Sequence, residues 1–202
     1  MILYGASGHG KVIIEILENM NESIITVWDD DVNKEYLLNY KIIRPLKNLI
    51  EIKDKIIVSI GVNEIRKKIV TFLNDYVSFG NAIHPDSFIS KRAKIEEGTV
   101  IMAGAVVNVD CTIGKHCIIN TSASIDHDCM LGDFVHISPN ATLSGDVRVG
   151  EGTHIGSGAT SIQGIRIGKW CTIGAGAVII KDIPDYSTAV GNPAKIIKVK
   201  NF

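Results

Sequence analysis

Aromatic residues are scarce in this sequence of 202 residues, at 6% of the total, although 46% of the residues are hydrophobic. The core must therefore be built from aliphatic side chains, many of them the β-branched residues that favour strands. An excess of basic residues is also missing, because 21 Lys and Arg residues stand against 22 Asp and Glu residues. That balance argues against a protein that binds nucleic acid.

Long hydrophobic runs are absent as well. No segment approaches the ~18 consecutive apolar residues of a membrane span, and the start of the chain lacks a basic region followed by a hydrophobic one. We therefore expect no membrane insertion and a cytoplasmic location. The four cysteines form no CxxC pair, which argues against a zinc site or a redox dithiol, so we expect no bound metal. Reduced, buried thiols are typical of a cytoplasmic protein.

The first eighty residues alternate short strands and helices. MILY runs into the glycine-rich turn GASGHG, and a helix is predicted at 11–20. Further strands are predicted at 23–28 and 55–61, and a second helix at 63–75, while the segment 32–54 stays unassigned. The second helix carries an apolar stripe of Ile65, Ile69, Phe72 and Leu73. Such alternation predicts a small parallel sheet with crossover helices.

A six-residue repeat dominates the remainder of the chain. From Ile83 to Ile179, sixteen of the seventeen residues at intervals of six are Ile, Leu or Val, and the exception is Ser161. The residue four places further on is mostly Ala or Cys, and all four cysteines occupy this position. An aliphatic residue every six, with a small one between, predicts a parallel β-helix with a narrow core. The pattern resembles the hexapeptide repeat of left-handed β-helix acyltransferases, in which three hexapeptides make one triangular coil.

We therefore predict two domains. An α/β, Rossmann-like domain covers residues 1–80. A left-handed parallel β-helix with a C-terminal tail covers residues 81–202, and its resemblance to the acyltransferases implies that it binds acetyl-CoA and carries catalysis.

Two of the six histidines, His127 and His136, lie at outward-facing positions of the repeat. A surface or structural role is the first interpretation for any single histidine. An imidazole with a near-neutral pKa is, however, suited to removing a proton from an amine or hydroxyl that attacks a thioester. Asp128 could raise the basicity of the His127 imidazole. Because neighbouring strand residues point to opposite faces, that pairing requires a corner at 127–128.

The glycine turn differs from two known phosphate-binding loops. Gly5, Gly10 and Lys11 are spaced as in a P-loop, but Val12 stands where Ser or Thr would ligate magnesium, and the pattern GxGxxG is absent. One interpretation is a tight strand-to-helix turn without a ligand. The other is a diphosphate site made by backbone N–H groups at a helix N-terminus, with the acidic residues after the second strand placed to hold a ribose.

Four motifs in combination resemble the NeuD/PglD-type sugar acetyltransferases: GASGHGK, NEIRKK, NTSASIDHDC and VGNPAK. The resemblance implies a homotrimer that uses acetyl-CoA as co-substrate and no metal. The implied acceptor is the amino group of a UDP-4-amino-4,6-dideoxy sugar destined for a surface glycan. O-acetylation of sialic acid or a related sugar is the alternative. A zinc-dependent β-helix hydratase would need two of its three zinc-binding histidines four or five residues apart, whereas the smallest spacing in this sequence is nine. A catalytically silent scaffold is disfavoured by the pair of His127 and Asp128.

The resemblance also implies roles for individual residues. His127 is implied as the general base and Asp128 as its modulator, where the N-acetyltransferases commonly have Glu. Gly145 is implied as a backbone N–H donor to the oxyanion. The implied acetyl-CoA contacts are His136, Ser157 and Ala175. The implied nucleotide-sugar contacts are Ser7, Gly8, His9, Asp29, Asp30 and Gly61.

Overall fold

The computed structural model describes residues 1–45 and 52–200. Its N-terminal part consists of β1 (Ile2–Tyr4), α1 (Gly8–Asn19), β2 (Thr26–Trp28), β3 (Tyr36–Leu37), β4 (Tyr40–Ile43), β5 (Ile56–Val58) and α2 (Asn63–Leu73). The strands form one sheet in the order β3-β4-β2-β1-β5, in which only the β3–β4 pair is antiparallel. The unassigned segment thus contains a short hairpin, and its residues 46–51 lie outside the described residues.

Seventeen two-residue strands follow, and together they wind into a parallel β-helix. They are β6 (Ala82–Ile83), β7 (Phe88–Ile89), β8 (Lys94–Ile95), β9 (Val100–Ile101), β10 (Val106–Val107), β11 (Thr112–Ile113), β12 (Ile118–Ile119), β13 (Ser124–Ile125), β14 (Met130–Leu131), β15 (His136–Ile137), β16 (Thr142–Leu143), β17 (Arg148–Val149), β18 (His154–Ile155), β19 (Thr160–Ser161), β20 (Arg166–Ile167), β21 (Thr172–Ile173) and β22 (Val178–Ile179). The hairpin of β23 (Ser187–Val190) and β24 (Lys195–Val199) completes the last coil. The fold class predicted from the sequence is confirmed.

The hexapeptide repeat sets the register of this β-helix. Each strand from β6 to β19 pairs in parallel with the strand eighteen residues later, as Ser124 does with Thr142. The second residue of each strand points inward, and in most coils it is fully buried together with the small residue between strands. All four cysteines are free and buried in this core. The periodic aliphatic residues therefore build a continuous interior column, as the repeat predicted.

The coils present three flat faces. The covered face contains β6, β9, β12, β15, β18 and β21, and the N-terminal part packs on it. The uncharged face contains β7, β10, β13, β16, β19 and β22, and the arginine face contains β8, β11, β14, β17 and β20. Outward side chains of the uncharged face are Phe88, Val106, Ser124, Thr142, Thr160 and Val178. The arginine face instead carries Arg148 and Arg166 on neighbouring strands.

The N-terminal part and the β-helix share apolar clusters. Ile13 and Leu17 of α1 lie in one cluster with Val100 and Ile118 of the covered face. Phe134 of the β-helix belongs to another cluster with residues of β1 and β5. Such a shared core fixes the sheet of the N-terminal part against the β-helix.

The apolar stripe predicted on α2 is buried only in part. Leu73 is fully buried and Ile69 packs against the same apolar cluster, whereas Ile65 and Phe72 are 47% and 63% exposed. Asn63 and Arg66 are buried as well, because the surface under the start of α2 presents backbone carbonyls, which require hydrogen-bond donors. Neither described helix has the length and apolar character that crossing a bilayer requires.

Candidate active site

His127 lies in the turn between β13 and β14, which we call the His127 corner because the chain passes there from the uncharged face to the arginine face. Its Nδ1 is 2.7 Å from Oδ2 of Asp128. Asp128 has φ 63°, the left-handed backbone conformation that makes the corner and lets consecutive side chains meet. The carboxylate accepts the hydrogen bond, so Nδ1 carries the proton and Nε2 keeps its lone pair. The His127 side chain is 54% exposed.

The hydrogen bond to Asp128 raises the pKa of His127 above its ordinary value, and the charge of Asp126 contributes further. Oδ1 of Asp126 accepts the His127 backbone N–H at 2.9 Å and the side-chain amide of Asn108 at 3.0 Å. Asp128 and Asp126 therefore both make the imidazole a stronger base, and Asp126 also holds the backbone of His127.

Gly145 lies directly under the ring of His127, one coil further along. A Cβ at Gly145 would be 2.5 Å from Cε1 and 2.7 Å from Nε2 of His127, so any side chain would displace the ring. Glycine is therefore required here for space. The Gly145 N–H makes no hydrogen bond to any residue of 1–45 or 52–200. It remains available as a donor, and its role at the oxyanion stays a prediction.

His136, on the covered face, is held by hydrogen bonds at both ring nitrogens. Its Nδ1 donates to the Gly61 carbonyl at 3.3 Å, because a carbonyl can only accept, and its Nε2 accepts from the Asn120 amide at 3.2 Å. Burial lowers the pKa of His136 to about 3, with smaller contributions from His154 and Arg66. The ring is therefore neutral, and Asn120 is the partner that a ligand could replace.

Ser157 and Ala175 lie in consecutive turns from the covered face to the uncharged face, which we call the Ser157 corner. The N–H of Gly176 donates to the Ser157 carbonyl at 2.8 Å and stacks the two turns. The His127 corner forms the opposite edge of the uncharged face. Within one chain the structure therefore does not bring His127 together with Ser157 and Ala175.

The glycine turn leads from β1 into α1. The first amides of any α-helix have no partner inside the helix, and in α1 these begin at Gly8. The N-cap residue Ser7 makes no side-chain capping hydrogen bond to them. Nε2 of His9 is buried and has no partner among the described residues. Burial lowers the pKa of His9 to about 4, with a contribution from the charge of Arg66. Gly61 follows β5 at the same edge of the sheet.

The acidic residues after β2 are already hydrogen-bonded. The carboxylate of Asp29 accepts the Ala6 N–H at 2.6 Å and pairs with Lys34 at 3.1 Å, so it holds the glycine turn. Asp30 accepts the Tyr4 hydroxyl at 2.8 Å. The structure thus brings both residues to the predicted nucleotide-sugar edge, but it gives Asp29 a structural function as well.

Sequence patterns did not identify Asn120, Asn63 or Arg66. The last two belong to the NEIRKK motif, which contributes to the resemblance. No local pattern could have assigned them a role, because their partners lie on distant coils of the β-helix. No three His, Cys, Asp or Glu side chains in the described part of the chain are arranged to hold a metal.

A β-helix of hexapeptide repeats with an exposed His-Asp pair at one corner is typical of the hexapeptide acyltransferases. Residues 1–73 match the family described as PglD N-terminal domain, and residues 128–160 match bacterial transferase hexapeptide (six repeats). UDP-N-acetylbacillosamine N-acetyltransferase of Bacillus subtilis (strain 168) is 42% identical over 112 residues, which is 50% of this chain and 50% of that protein.

Two solved structures are similar over nearly the whole chain. PerB from Caulobacter crescentus, in complex with CoA and GDP-perosamine, has a TM-score of 0.93 and 37% identity, covering 98% of this chain and 96% of that one. The acetyltransferase domain of PglB from Neisseria gonorrhoeae, in complex with acetyl coenzyme A, has a TM-score of 0.90 and 39% identity, covering 97% and 98%. The chain belongs to the NeuD/PglD-type sugar acetyltransferase family.

Proposed function

We propose that this protein transfers acetyl from acetyl-CoA to the amino group of a UDP-4-amino-4,6-dideoxy sugar for a surface glycan. The observation that carries the proposal is the exposed imidazole of His127, whose Nδ1 bonds Asp128 and whose Nε2 is left to accept a proton. The names of the relatives support the substrate class, since two are sugar N-acetyltransferases and PerB binds GDP-perosamine and CoA.

The reaction follows from this arrangement. The amine nitrogen attacks the thioester carbonyl carbon, a C–N bond forms, and the nitrogen gains positive charge. His127 Nε2 takes the proton from that nitrogen. The N–H of Gly145 would donate to the oxyanion. The C–S bond then breaks, the acetylated sugar is released, and the coenzyme A thiolate receives the proton.

The acceptor would bind at the carboxyl ends of β1, β2 and β5. The first amides of α1, from Gly8 onward, suit the diphosphate, because a helix N-terminus attracts anions. A phosphate oxygen or a sugar hydroxyl would also satisfy the buried Nε2 of His9, which is costly to leave unpaired. Ser7, Asp30 and Gly61 line the same edge, so residues 1–80 would supply acceptor binding and residues 81–202 the chemistry.

Acetyl-CoA would lie along the Ser157 corner. Ser157 and Ala175 offer small side chains there, and the adjacent Gly158 and Gly176 have open space where a Cβ would be. His136 lies on the face that leads into this corner, and its neutral ring would contact the thioester end through Nε2. The acetyl donor and His127 would then belong to opposite edges of the uncharged face.

We therefore propose a homotrimer in which two chains complete each active site. The uncharged face has no charged outward side chain on its described strands. Phe88 on this face is 59% exposed, and Ile162 and Ile180 beside it are each 42% exposed. Such an apolar surface is suited to self-association. If this face turns toward a three-fold axis, the His127 corner of one chain meets the Ser157 corner of the next. We place the trimer in the cytoplasm, in keeping with its four free thiols.

The test is acetyl transfer by the purified protein to a panel of UDP- and GDP-linked 4-amino sugars and to sialic acid. We expect release of the coenzyme A thiol and a product that mass spectrometry identifies as an N-acetylated nucleotide sugar. His127→Ala should lower kcat by about two to four orders of magnitude with an unchanged melting temperature. Acetylation of hydroxyl groups alone would favour the sialic acid alternative, and full activity of His127→Ala would exclude His127 as the base.

A further inference from the structure

Arg66 is a buried charge without a carboxylate partner. It is 1% exposed, and no ion pair joins it to an acidic side chain within residues 1–45 and 52–200. Burial lowers its pKa to about 10, so the guanidinium remains charged at neutral pH. Because an unpaired buried charge is costly, its hydrogen bonds must offset the loss of water.

Those hydrogen bonds go to backbone carbonyls of both parts of the chain. Nε donates to the His116 carbonyl and Nη2 to the Phe134 carbonyl, each at 2.9 Å, and both acceptors lie on the β-helix. Nη1 donates to the Ile60 carbonyl at 2.9 Å and to the Gly61 carbonyl at 3.4 Å, in the loop between β5 and α2. One side chain therefore bonds the loop directly to two coils.

Asn63 extends this network to a third coil. Its Oδ1 accepts from Nη2 of Arg66 at 2.8 Å, and its Nδ2 donates to the Gly152 carbonyl at 3.0 Å. His116, Phe134 and Gly152 are eighteen residues apart, so they occupy the same place in three consecutive coils. The spacing of donors on α2 matches the spacing of the coils.

The Gly61 carbonyl joins this network to the proposed acetyl-CoA site. It accepts from Arg66 Nη1 and also from His136 Nδ1, at 3.4 Å and 3.3 Å. Gly61 belongs to the proposed acceptor edge, and His136 to the proposed acetyl-CoA site. A single carbonyl thus connects the two.

We propose that Arg66 is a positioning residue that fixes the β5–α2 loop against His136, so that the acceptor amine and the thioester are held in register. The inference rests on the proposed function. Arg66 touches neither substrate and acts through the Gly61 carbonyl. Correct placement of two reactants accounts for large rate factors, and a displacement of about 1 Å can cost about a hundredfold.

Arg66→Lys is the informative variant, because it keeps the charge but replaces a planar fork by one ammonium that cannot reach four carbonyls. We expect kcat with the nucleotide sugar to fall at least about tenfold. The dissociation constants of the nucleoside diphosphate alone and of coenzyme A alone, measured by calorimetry, should stay within about twofold. Lys68→Met, an exposed charge on the same helix, should leave kcat unchanged. A purely structural role would weaken both dissociation constants along with kcat.

A second readout needs no substrate. In the wild-type protein, NMR of the imidazole should find His136 with its proton on Nδ1, and Arg66→Lys should lose that fixed tautomer. If Arg66→Lys does not fold, Asn63→Ala should give the same pattern, with a smaller fall in kcat. A kcat within threefold of wild type, or an unchanged His136 tautomer, would overturn the proposal. A wild-type protein inactive on every amino sugar would instead overturn the proposed function, while the tautomer experiment would still decide the role of Arg66.

Discussion

The basicity of His127 comes from its neighbour Asp128, and this predicts a specific pH profile. Asp128 raises the pKa of His127, so the acidic limb of kcat/KM should lie above pH 6.5, the ordinary value. Asp128→Asn should move that limb to lower pH and decrease kcat on the plateau, because the imidazole becomes a weaker base. Asp146→Asn, at the equivalent turn position one coil on, is the matched control. An unmoved limb in Asp128→Asn would contradict this account.

Gly145 has a steric function that can be separated from any electronic one. Gly145→Ala should push the His127 ring out of place and lower kcat by about tenfold or more, with little change in KM for acetyl-CoA. A double-mutant cycle tests the cause. In a His127→Ala background the Gly145→Ala change should cost nothing further, because the atom it clashes with is gone. A full additional loss would point instead to the Gly145 N–H.

The hexapeptide phase predicted that His127 points outward, but the corner that lets it meet Asp128 is visible only in the structure. The sequence was not sufficient for Asn120 or Arg66. Their hydrogen bonds join residues 16 to 68 positions apart, and no local pattern records such a pairing. For Asp29 the sequence predicted the place, but not that Ala6 and Lys34 already use its carboxylate.

At the level of secondary structure elements, the turn after β2 combines the proposed acceptor binding with hydrogen bonds that hold the fold, and Asp29 makes more of these hydrogen bonds than Asp30. Asp30→Ala should raise KM for the nucleotide sugar and leave KM for acetyl-CoA unchanged, because Asp30 lies at the acceptor edge. Asp29→Ala should in addition lower the free energy of unfolding by about 1–3 kcal/mol, and by more than Asp30→Ala does. It removes the acceptor of the buried Ala6 N–H and the partner of Lys34, whereas Asp30→Ala removes only the acceptor of the Tyr4 hydroxyl. Kinetics combined with chemical denaturation distinguishes them. Equal loss of stability in both variants would contradict this division.

The contact between the N-terminal part and the covered face should be sensitive to acid. Burial lowers the pKa values of His9, His116 and His136 to about 4, about 4 and about 3. Unfolding returns each pKa to about 6.5, so between these values the unfolded chain binds more protons and stability decreases as the pH falls. His116 packs between Phe79 and Phe134, so His116→Phe should reduce the change in the free energy of unfolding between pH 7 and pH 5. Denaturant midpoints at pH 7 and pH 5 measure it, and the same change in the variant as in the wild type would contradict this account.

The elements themselves were predictable to different degrees. The β-helix follows from its repeat because every coil makes the same demand of the same positions. The hydrophobic pattern of α2 predicted a helix and the burial of Leu73, but it did not predict the burial of Asn63 and Arg66 against carbonyls that only the folded β-helix presents. Hydrophobic periodicity indicates apolar contacts but carries no information about such hydrogen bonds.

For the whole molecule, the proposal that two chains share each active site makes a quantitative prediction. His127→Ala removes the base from one corner, and Ser157→Phe should block the acetyl donor at the other. Each variant alone should be inactive, while trimers assembled from an equal mixture should recover about a quarter of wild-type activity, because one interface in four combines two intact corners. Light scattering should give three times the mass of the chain. Mixtures without activity would place the whole site within one chain.

The eighteen-residue spacing of the coils also restricts how such a protein can change in length. Each coil adds one strand spacing, about 4.8 Å, along the β-helix. An insertion of six residues would keep inward residues inward but rotate every later residue to the next face, whereas eighteen residues preserve both burial and face. The proposed acetyl-CoA site along the Ser157 corner can therefore lengthen or shorten only in whole coils. Ser157 and Ala175 lie one coil apart, so the length of the β-helix changes in steps of one coil.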